Sequence, residues 1–221
     1  MSVLVVAPHP DDETIGCGGR LALAAAAGEK VGAIFLTSGE LGLTDLSADQ
    51  ARTVREAEAK EAARIIGITS LTFLRLPDWS LSDSSAQAVE SLGRVLQQEH
   101  PNRLLIPHVN ESHPDHAATP VILRMALRNI QVEIQVQTYE VWTPMTSFEE
   151  VEDISSVMEI KLAALRAYRS QLAQFQYDEA VEGLNRFRGA LAARCRYAEA
   201  YGQFDVIDSE DHGDAAHRRD L

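Results

Sequence analysis

Residues 3–19 read Val-Leu-Val-Val-Ala-Pro-His-Pro-Asp-Asp-Glu-Thr-Ile-Gly-Cys-Gly-Gly and join an apolar run to a polar turn and a helix. The first five residues are continuously apolar, which is typical of a strand buried on both faces. Two prolines end this strand, because proline has no N–H for a sheet. A helical pattern begins at Thr14. The turn between strand and helix contains one histidine and three carboxylates, namely His9, Asp11, Asp12 and Glu13.

This turn has two interpretations. Acidic residues favour the positive end of a helix dipole, and Asp12 is also a reasonable N-cap. That interpretation accounts for Asp12 or Glu13, but not for His9 together with two adjacent aspartates. The alternative is a metal site at the carboxyl edge of a parallel sheet, where α/β proteins bind their ligands.

A second histidine-rich turn, His113-Pro-Asp-His116, follows the apolar run at 104–107. Pro114 suits the first position of a helix, so we expect His113 at the cap and His116 in the first turn. Alone, this pair favours a solvated helix start. If both turns end strands of one sheet, His9, Asp12 and His116 make a three-ligand site with an open position for water.

Two polar residues of the motifs, Asp11 and His113, are not used as ligands in this three-ligand site. Asp11 would lie beside a metal-bound water as general base, and His113 would act as acid or oxyanion stabiliser, oriented by Asp115. Whether Asp11 or His113 protonates the leaving group stays open. Such ligands suit Zn²⁺, and Fe²⁺ also accepts them.

Ala7-Pro-His-Pro-Asp-Asp-Glu13 and His113-Pro-Asp-His116 resemble the two signatures of the LmbE/PIG-L-type zinc de-N-acetylases. Pro8 is a departure, since alanine commonly precedes the family's histidine. The resemblance covers roughly residues 3–202. Further matches lie at Arg55 and Glu58, Leu76-Pro-Asp78, Tyr139-Glu140, Lys161, and Tyr168-Arg-Ser-Gln171.

This resemblance implies an enzyme that removes the acetyl group from an N-acetylglucosamine-type amino sugar. It also implies that Arg55, Asp78 and Glu140 contact the substrate, and that the chain forms a trimer or hexamer. An amidase acting on a larger amino-sugar conjugate and a non-catalytic metal- or sugar-binding module are the alternatives. A dinucleotide-dependent oxidoreductase is disfavoured, because no Gly-x-Gly-x-x-Gly follows the first strand.

Composition restricts the partners. The chain has 221 residues, a net charge of −13 and a pI of about 4.9. Such acidity argues against nucleic-acid binding and docking on anionic membranes. Two cysteines predict no disulfide framework, and no apolar run approaches the ~20 residues of a membrane helix. We therefore expect a cytoplasmic protein with one domain, residues 1–208, and a disordered polar tail, residues 209–221.

Strands alternate with helices up to about residue 142, which predicts a Rossmann-like, open, mainly parallel α/β sheet with helices on both faces. The polar segment 39–50 is a candidate loop over the substrate. Later, we expect a short strand at 148–154 outside the main sheet, a helix at 155–168 with Lys161 pointing away from the core, a final helix at 178–201 with Arg188 on the surface, and a strand at 204–207.

Overall fold

The computed structural model describes residues 2–128, 130 and 134–206. The predicted tail and the first residues of the fifth predicted strand lie outside the described residues. The proposed domain boundary at residue 208 also lies outside them and stays a prediction.

Among these residues, seven strands form one sheet, in the order β3-β2-β1-β4-β5-β7-β6. The first five strands run parallel, and β7 joins β5 and β6 in antiparallel fashion. The strands are β1 (Ser2–Ala7), β2 (Lys30–Thr37), β3 (Ser70–Leu76), β4 (Arg103–Pro107), β5 (Gln135–Tyr139), β6 (Glu150–Asp153) and β7 (Ala198–Gln203). The predicted mainly parallel α/β sheet is confirmed.

In the same part of the chain, seven α-helices connect or cover these strands. They are α1 (Asp12–Ala26), α2 (Ala48–Ile66), α3 (Ser85–Glu99), α4 (Pro114–Leu127), α5 (Met158–Leu165), α6 (Arg169–Leu172) and α7 (Tyr177–Arg188). A 3₁₀ turn at Glu40–Gly42 and a π-helical turn at Gly189–Ala193 complete the described elements.

The core lies on both faces of the sheet, as the apolar run of β1 predicts. Val3, Val5 and Ala7 pack with residues of α1, α2 and α5, whereas Leu4 and Val6 pack with residues of α3 and α4. Successive strand side chains point to opposite faces, so a strand covered on both sides is apolar throughout.

The topology fixes where a ligand can bind. β1 pairs with β2 on one side and β4 on the other, and the connections that follow β1 and β4 lie on opposite faces. The strand order therefore reverses at β1, and a crevice opens beyond the carboxyl ends of β1 and β4. The two histidine-rich turns follow these two strands.

Several predictions for the last third of the chain are wrong. The strand at Glu150–Asp153 extends the main sheet at its edge instead of lying outside it. The final helix ends at Arg188, and Ala198–Gln203 is a strand paired with β5 and β6. No strand begins at Phe204 within the described residues.

Lys161 and Arg188 were also misplaced. Lys161 is fully buried, and its Nζ donates to Glu199 Oε1 at 2.7 Å. Arg188 is buried and pairs with Glu140. Each cation is tolerated in the interior because a carboxylate compensates its charge.

Candidate metal-dependent active site

The two strand-to-helix turns place their polar side chains together. His9 follows β1, and Asp12 is the first residue of α1. His113 is the N-cap of α4, and His116 lies in its first turn with Pro114 at the start. All four side chains are buried. The predicted meeting of the two motifs is therefore seen in the structure.

Three donor atoms form a nearly equilateral triangle. His9 Nδ1 lies 3.2 Å from Asp12 Oδ2 and 3.2 Å from His116 Nε2, and the last two atoms are 3.3 Å apart. Ligands of a tetrahedral metal with bonds of ~2.0–2.1 Å stand ~3.3–3.4 Å apart. The predicted ligands His9, Asp12 and His116 thus fit a metal ion without rearrangement.

A second set of three possible ligands consists of His9, His113 and His116. One ring nitrogen from each lies within 4.8 Å of the other two. However, His113 Nδ1 accepts a hydrogen bond from the Asp115 backbone N–H at 3.2 Å. A neutral His113 must then carry its proton on Nε2. The triangle with Asp12 has sides of only 3.2–3.3 Å, and His113 lies beside it.

Carboxylates also lie near the nitrogens of His9 and His116 that are not part of the triangle. His9 Nε2 lies 3.1 Å from Asp78 Oδ1 and 3.3 Å from Asp115 Oδ2. His116 Nδ1 lies 3.5 Å from Glu111 Oε2 and, among the described residues, makes no shorter polar contact. Such carboxylate–histidine pairs fix ring orientation and raise ligand basicity.

Asp115 contacts both His9 and His113. Its carboxylate contacts His9 and accepts from the backbone N–H groups of Trp79 and Leu81, at 2.8 and 3.1 Å. Only its backbone N–H reaches His113. Asp115 therefore contacts His113 through its backbone, whereas its carboxylate lies on the His9 side, where the loop after β3 holds it.

Asp11 lies beside the triangle and is not part of it. Its φ of 118° is in the region that favours glycine. The Asp11 N–H donates to Glu13 Oε2 at 3.0 Å, and Glu13 Oε1 accepts from Tyr168 Oη at 2.5 Å. This chain of hydrogen bonds holds the strained backbone and keeps the Asp11 carboxylate available in the pocket.

Burial and neighbouring charges set the pKa values of the metal-free site. Burial raises the pKa of Asp11 to about 7, with Arg55 opposing the shift and Asp12 and Glu13 adding to it. Burial alone would lower the pKa of His116, but Asp12 and Glu111 outweigh it and raise the pKa to about 9.

Burial and neighbouring groups also set the pKa values of His9 and His113. Burial opposes protonation of His9, yet its hydrogen bonds to Asp115, Asp12 and Asp78 raise its pKa well above the ordinary value. His113 faces two other imidazoles, and burial together with their positive charge lowers its pKa to about 4. Without a metal, these surroundings favour the protonated form of His116 and the neutral form of His113.

The predicted substrate residues lie in three different places. Arg55 is buried at the pocket, where Nη2 donates to Pro10 O at 2.7 Å and lies 3.6 Å from Asp11 Oδ2. Its Nε and Nη1 have no hydrogen-bond partner among the described residues. Asp78 lines the pocket but supports His9. Glu140 faces Arg188 and the N–H of Met145, and it does not line this pocket.

The pocket over the triangle has a volume of about 210 Å³ and an aromatic rim. The segment Gly39 to Thr44, part of the predicted loop, lines one side, and the Leu41 N–H donates to Asp78 Oδ2 at 2.9 Å. Trp79 is 56% exposed, so it contributes to the rim rather than to the core. The rim residues are Trp79, Trp142, Phe175 and Tyr177.

Sequence reasoning missed Glu111 and most of this rim. Glu111 accepts from the N–H groups of Val141, Trp142 and Thr143, and so fixes the loop after β5. Burial would raise its pKa, but the neighbouring His108 and His116 and the Val141 N–H lower it to about 2. Its place between β4 and His113 was the available signal. His108 contacts Glu111 at 3.3 Å and supports it.

The family model for PIG-L, described as GlcNAc-PI de-N-acetylase, matches residues 4–127, more than half of the chain. The chain belongs to this family. Both signatures, and hence all three ligands of the triangle, lie within the matched region. The predicted PIG-L membership is thereby confirmed.

Relatives of this PIG-L family member agree with that assignment. Diacetylchitobiose deacetylase of Thermococcus kodakarensis is 31% identical over 196 residues, 78% of this chain and 70% of the relative. Probable N-acetyl-alpha-D-glucosaminyl L-malate deacetylase 2 of Bacillus cereus is 30% identical over 184 residues, 76% of this chain and 83% of the relative.

A solved structure has the same fold. A conserved protein from Thermus thermophilus superposes with a TM-score of 0.80 and 32% identity, covering 93% of this chain and 95% of that one. Within residues 2–128, 130 and 134–206, no helix is long and apolar enough to cross a membrane.

Proposed function

We propose that this PIG-L family member is a metal-dependent hydrolase that removes the acetyl group from an N-acetylglucosamine-type amino sugar. The observation that carries the proposal is the triangle of His9, Asp12 and His116 with the unligated Asp11 beside it. A binding module would need the three ligands but not a strained, buried carboxylate. The named deacetylase relatives support the reaction type.

His9, Asp12 and His116 would hold the metal. A divalent ion at this position would supply Lewis acidity toward the amide oxygen and a water activated for attack. Two imidazoles and a carboxylate suit Zn²⁺, which we propose as the physiological ion, and Fe²⁺ accepts the same set. Cytoplasmic location and a trimeric or hexameric state stay predictions.

Asp11 accepts the proton of the attacking water in this proposal. Its carboxylate is buried in the pocket, so little bulk water competes for the proton. Arg55, 3.6 Å from Asp11 Oδ2, orients the carboxylate. The amide C–N bond then breaks, the amine receives a proton from the protonated Asp11 or from His113, and acetate leaves.

His113 stabilises the oxyanion. Its Nδ1 accepts from the Asp115 N–H, which leaves the Nε2 proton as donor. Hydrogen-bond donors that already point to the place where negative charge develops often make the largest contribution to lowering the barrier of such reactions. Arg55, which lines the pocket, is the residue that we propose for contact with sugar hydroxyls or a phosphate.

The test combines metal content with acetate release. Purified protein is assayed with N-acetylglucosamine, its malate and inositol glycosides, and diacetylchitobiose. We expect one metal per chain, acetate release abolished by a chelator, and recovery with Zn²⁺. Asp11→Asn should keep the metal and lose about 10²–10⁴-fold in kcat.

Histidine variants supply the matched control. His116→Gln should lose the metal, whereas His100→Gln, at the end of α3 and outside the site, should keep both metal and activity. A metal-free wild-type protein purified without chelator, or near-normal turnover of Asp11→Asn, would contradict the proposal.

A further inference from the structure

A second cavity lies beside the active-site pocket and has a different chemical character. It has a volume of about 350 Å³ and lies between α7 and the segment that follows β5. Its walls are formed mainly by apolar side chains, including Ile15, Val141, Val181 and Leu184. This volume is within the range of ~300–1,000 Å³ that is usual for small-molecule sites.

Three aromatic residues join this cavity to the metal triangle. Trp142, Phe175 and Tyr177 line both spaces. The Trp142 ring is centred 5.3 Å from that of His113 and 5.7 Å from that of His116. A group attached to a substrate at the metal centre can therefore reach the cavity by passing over Trp142.

The cavity opens to solvent and keeps apolar surface uncovered. Trp142 is 45% exposed and Phe175 is 47% exposed. Their rings are 6.5 Å apart, and Phe175 stacks on Tyr177 at 5.2 Å. Exposed aromatic rings next to a reactive site are typical of ligand contact rather than of core packing.

Within the described residues, the side-chain amide of Asn185, in the cavity wall, has a hydrogen-bond partner for only one of its two polar atoms. Asn185 is buried, and its Nδ2 donates to Ala198 O at 3.0 Å, which fixes the orientation of the amide. Its Oδ1 has no hydrogen-bond partner in the described part of the chain. Because this oxygen is itself buried, it is closed to a ligand in the cavity, and the wall that a ligand would meet stays apolar.

The charged residue of the wall is already paired. Glu140 forms an ion pair with Arg188 and accepts from the Met145 N–H. The cavity therefore presents apolar surface and a carboxylate that is already neutralised. This combination disfavours an ionic group such as malate or phosphate, because neither would find a counter-charge there.

We propose that this cavity binds an alkyl or aryl group carried by the amino-sugar substrate. The proposal rests on the proposed deacetylase function and adds a substrate class to it. The group has two possible points of attachment, the anomeric oxygen and the amide carbonyl, and these are tested separately.

The experiment compares matched substrates and ligands. One series varies the glycoside of N-acetylglucosamine (methyl, phenyl, octyl), and the other varies the acyl group of methyl glucosaminide (acetyl, butyryl, octanoyl). Binding is measured by calorimetry on Asp11→Asn, and kcat/KM by release of the carboxylic acid. In the productive series, we expect the octyl or octanoyl member to bind at least about tenfold more tightly than the smallest member.

Two tryptophan variants locate the effect. Ala180→Trp places an indole at the cavity wall and should reduce the preference for the long-chain over the short-chain member at least about tenfold. Ala190→Trp adds the same side chain at an exposed position outside the wall and should leave this preference unchanged.

The outcomes separate the two proposals. If chain length has no effect in either series, or if Ala180→Trp and Ala190→Trp behave alike, the cavity does not bind the substrate. If long-chain ligands bind in a manner sensitive to Ala180→Trp but no acid is released, the cavity assignment stands and the deacetylase proposal is wrong.

Discussion

Asp11 adopts a backbone conformation that ordinary residues avoid, with φ 118° and ψ −30°. Non-glycine residues in such regions cost about 1–3 kcal/mol. The hydrogen bond from its N–H to Glu13, and that of Glu13 to Tyr168, maintain the conformation. The strain is concentrated at the residue that we assign as general base, where placement of the carboxylate matters most.

Replacing Asp11 with glycine should separate stability from activity. Asp11→Gly relieves the backbone strain and removes a buried carboxylate next to Asp12 and Glu13, at the cost of added freedom in the unfolded chain. We expect a gain of about 1 kcal/mol in the free energy of unfolding, measured by urea titration with chelator present, together with loss of turnover. The free energy of unfolding of Asp11→Asn shows how much of the gain in stability comes from removing the negative charge alone. A loss of stability in Asp11→Gly would contradict this account.

At the residue scale, the sequence predicted which three side chains meet in the triangle better than it predicted the carboxylates that contact them. Two motifs at strand ends are enough to bring His9, Asp12 and His116 together, because parallel strands share a carboxyl edge. The contact of the Asp115 carboxylate with His9 was not predicted, since it depends on the loop after β3, where Trp79 has a φ of 62°. Nothing in the spacing of residues indicates that turn. Glu111 was missed for the same reason.

Helix α1 approaches the sheet closely because of its small residues. A Cβ added at Gly16 would lie 2.1 Å from Tyr139 Cδ2 and 2.7 Å from Glu140 O. By contrast, a Cβ at Gly93 in α3 would meet nothing within 4 Å. The glycines of α1 thus permit the contact between the first and second halves of the site.

A pair of alanine substitutions tests this packing. Gly16→Ala should lower the free energy of unfolding by about 1–3 kcal/mol, because the methyl group forces backbone or Tyr139 to move. Gly93→Ala should raise it by about 0.5–1 kcal/mol, since alanine is the better helix former. Thermal unfolding of both variants beside the wild type checks the prediction, and equal shifts would refute it.

At the element scale, the first four strands were predictable and the last was not. β1 to β4 are marked by apolar runs and by prolines or glycines at their ends. β7 contains alanine, glutamate and glutamine, which favour a helix. It forms a strand because it pairs with β5 and β6 and buries Tyr201, and tertiary packing of this kind overrides local propensity. Lys161 was misplaced because its partner, Glu199, lies in that strand.

For the whole molecule, metal binding should be coupled to proton release. His9 Nδ1 and His116 Nε2 lie 3.2 Å apart, so at least one hydrogen lies between them without a metal. The pKa of His116 is raised to about 9, so the protonated form dominates at pH 7. Metal binding requires neutral imidazoles. The apparent affinity should therefore rise with pH from about 6 to 9 and level off above.

Calorimetry measures this coupling directly. Zinc titrations of the metal-free protein at pH 7, in two buffers of different ionisation enthalpy, should show release of about one to two protons per zinc. Zinc should also raise the melting temperature of the wild type but not that of His116→Gln. Binding without proton release at pH 7 would show that the triangle is not protonated.

The site draws on two separate stretches of the chain. Residues up to 127 contain the metal triangle and Asp11, whereas Trp142, Phe175 and the cavity wall on α7 belong to the part that the family model does not match. Substitutions in the later stretch can therefore alter which molecule is accepted while the hydrolytic chemistry is left intact. Chimeras that join the first 127 residues to another member's remainder would be a direct route to new substrate preference.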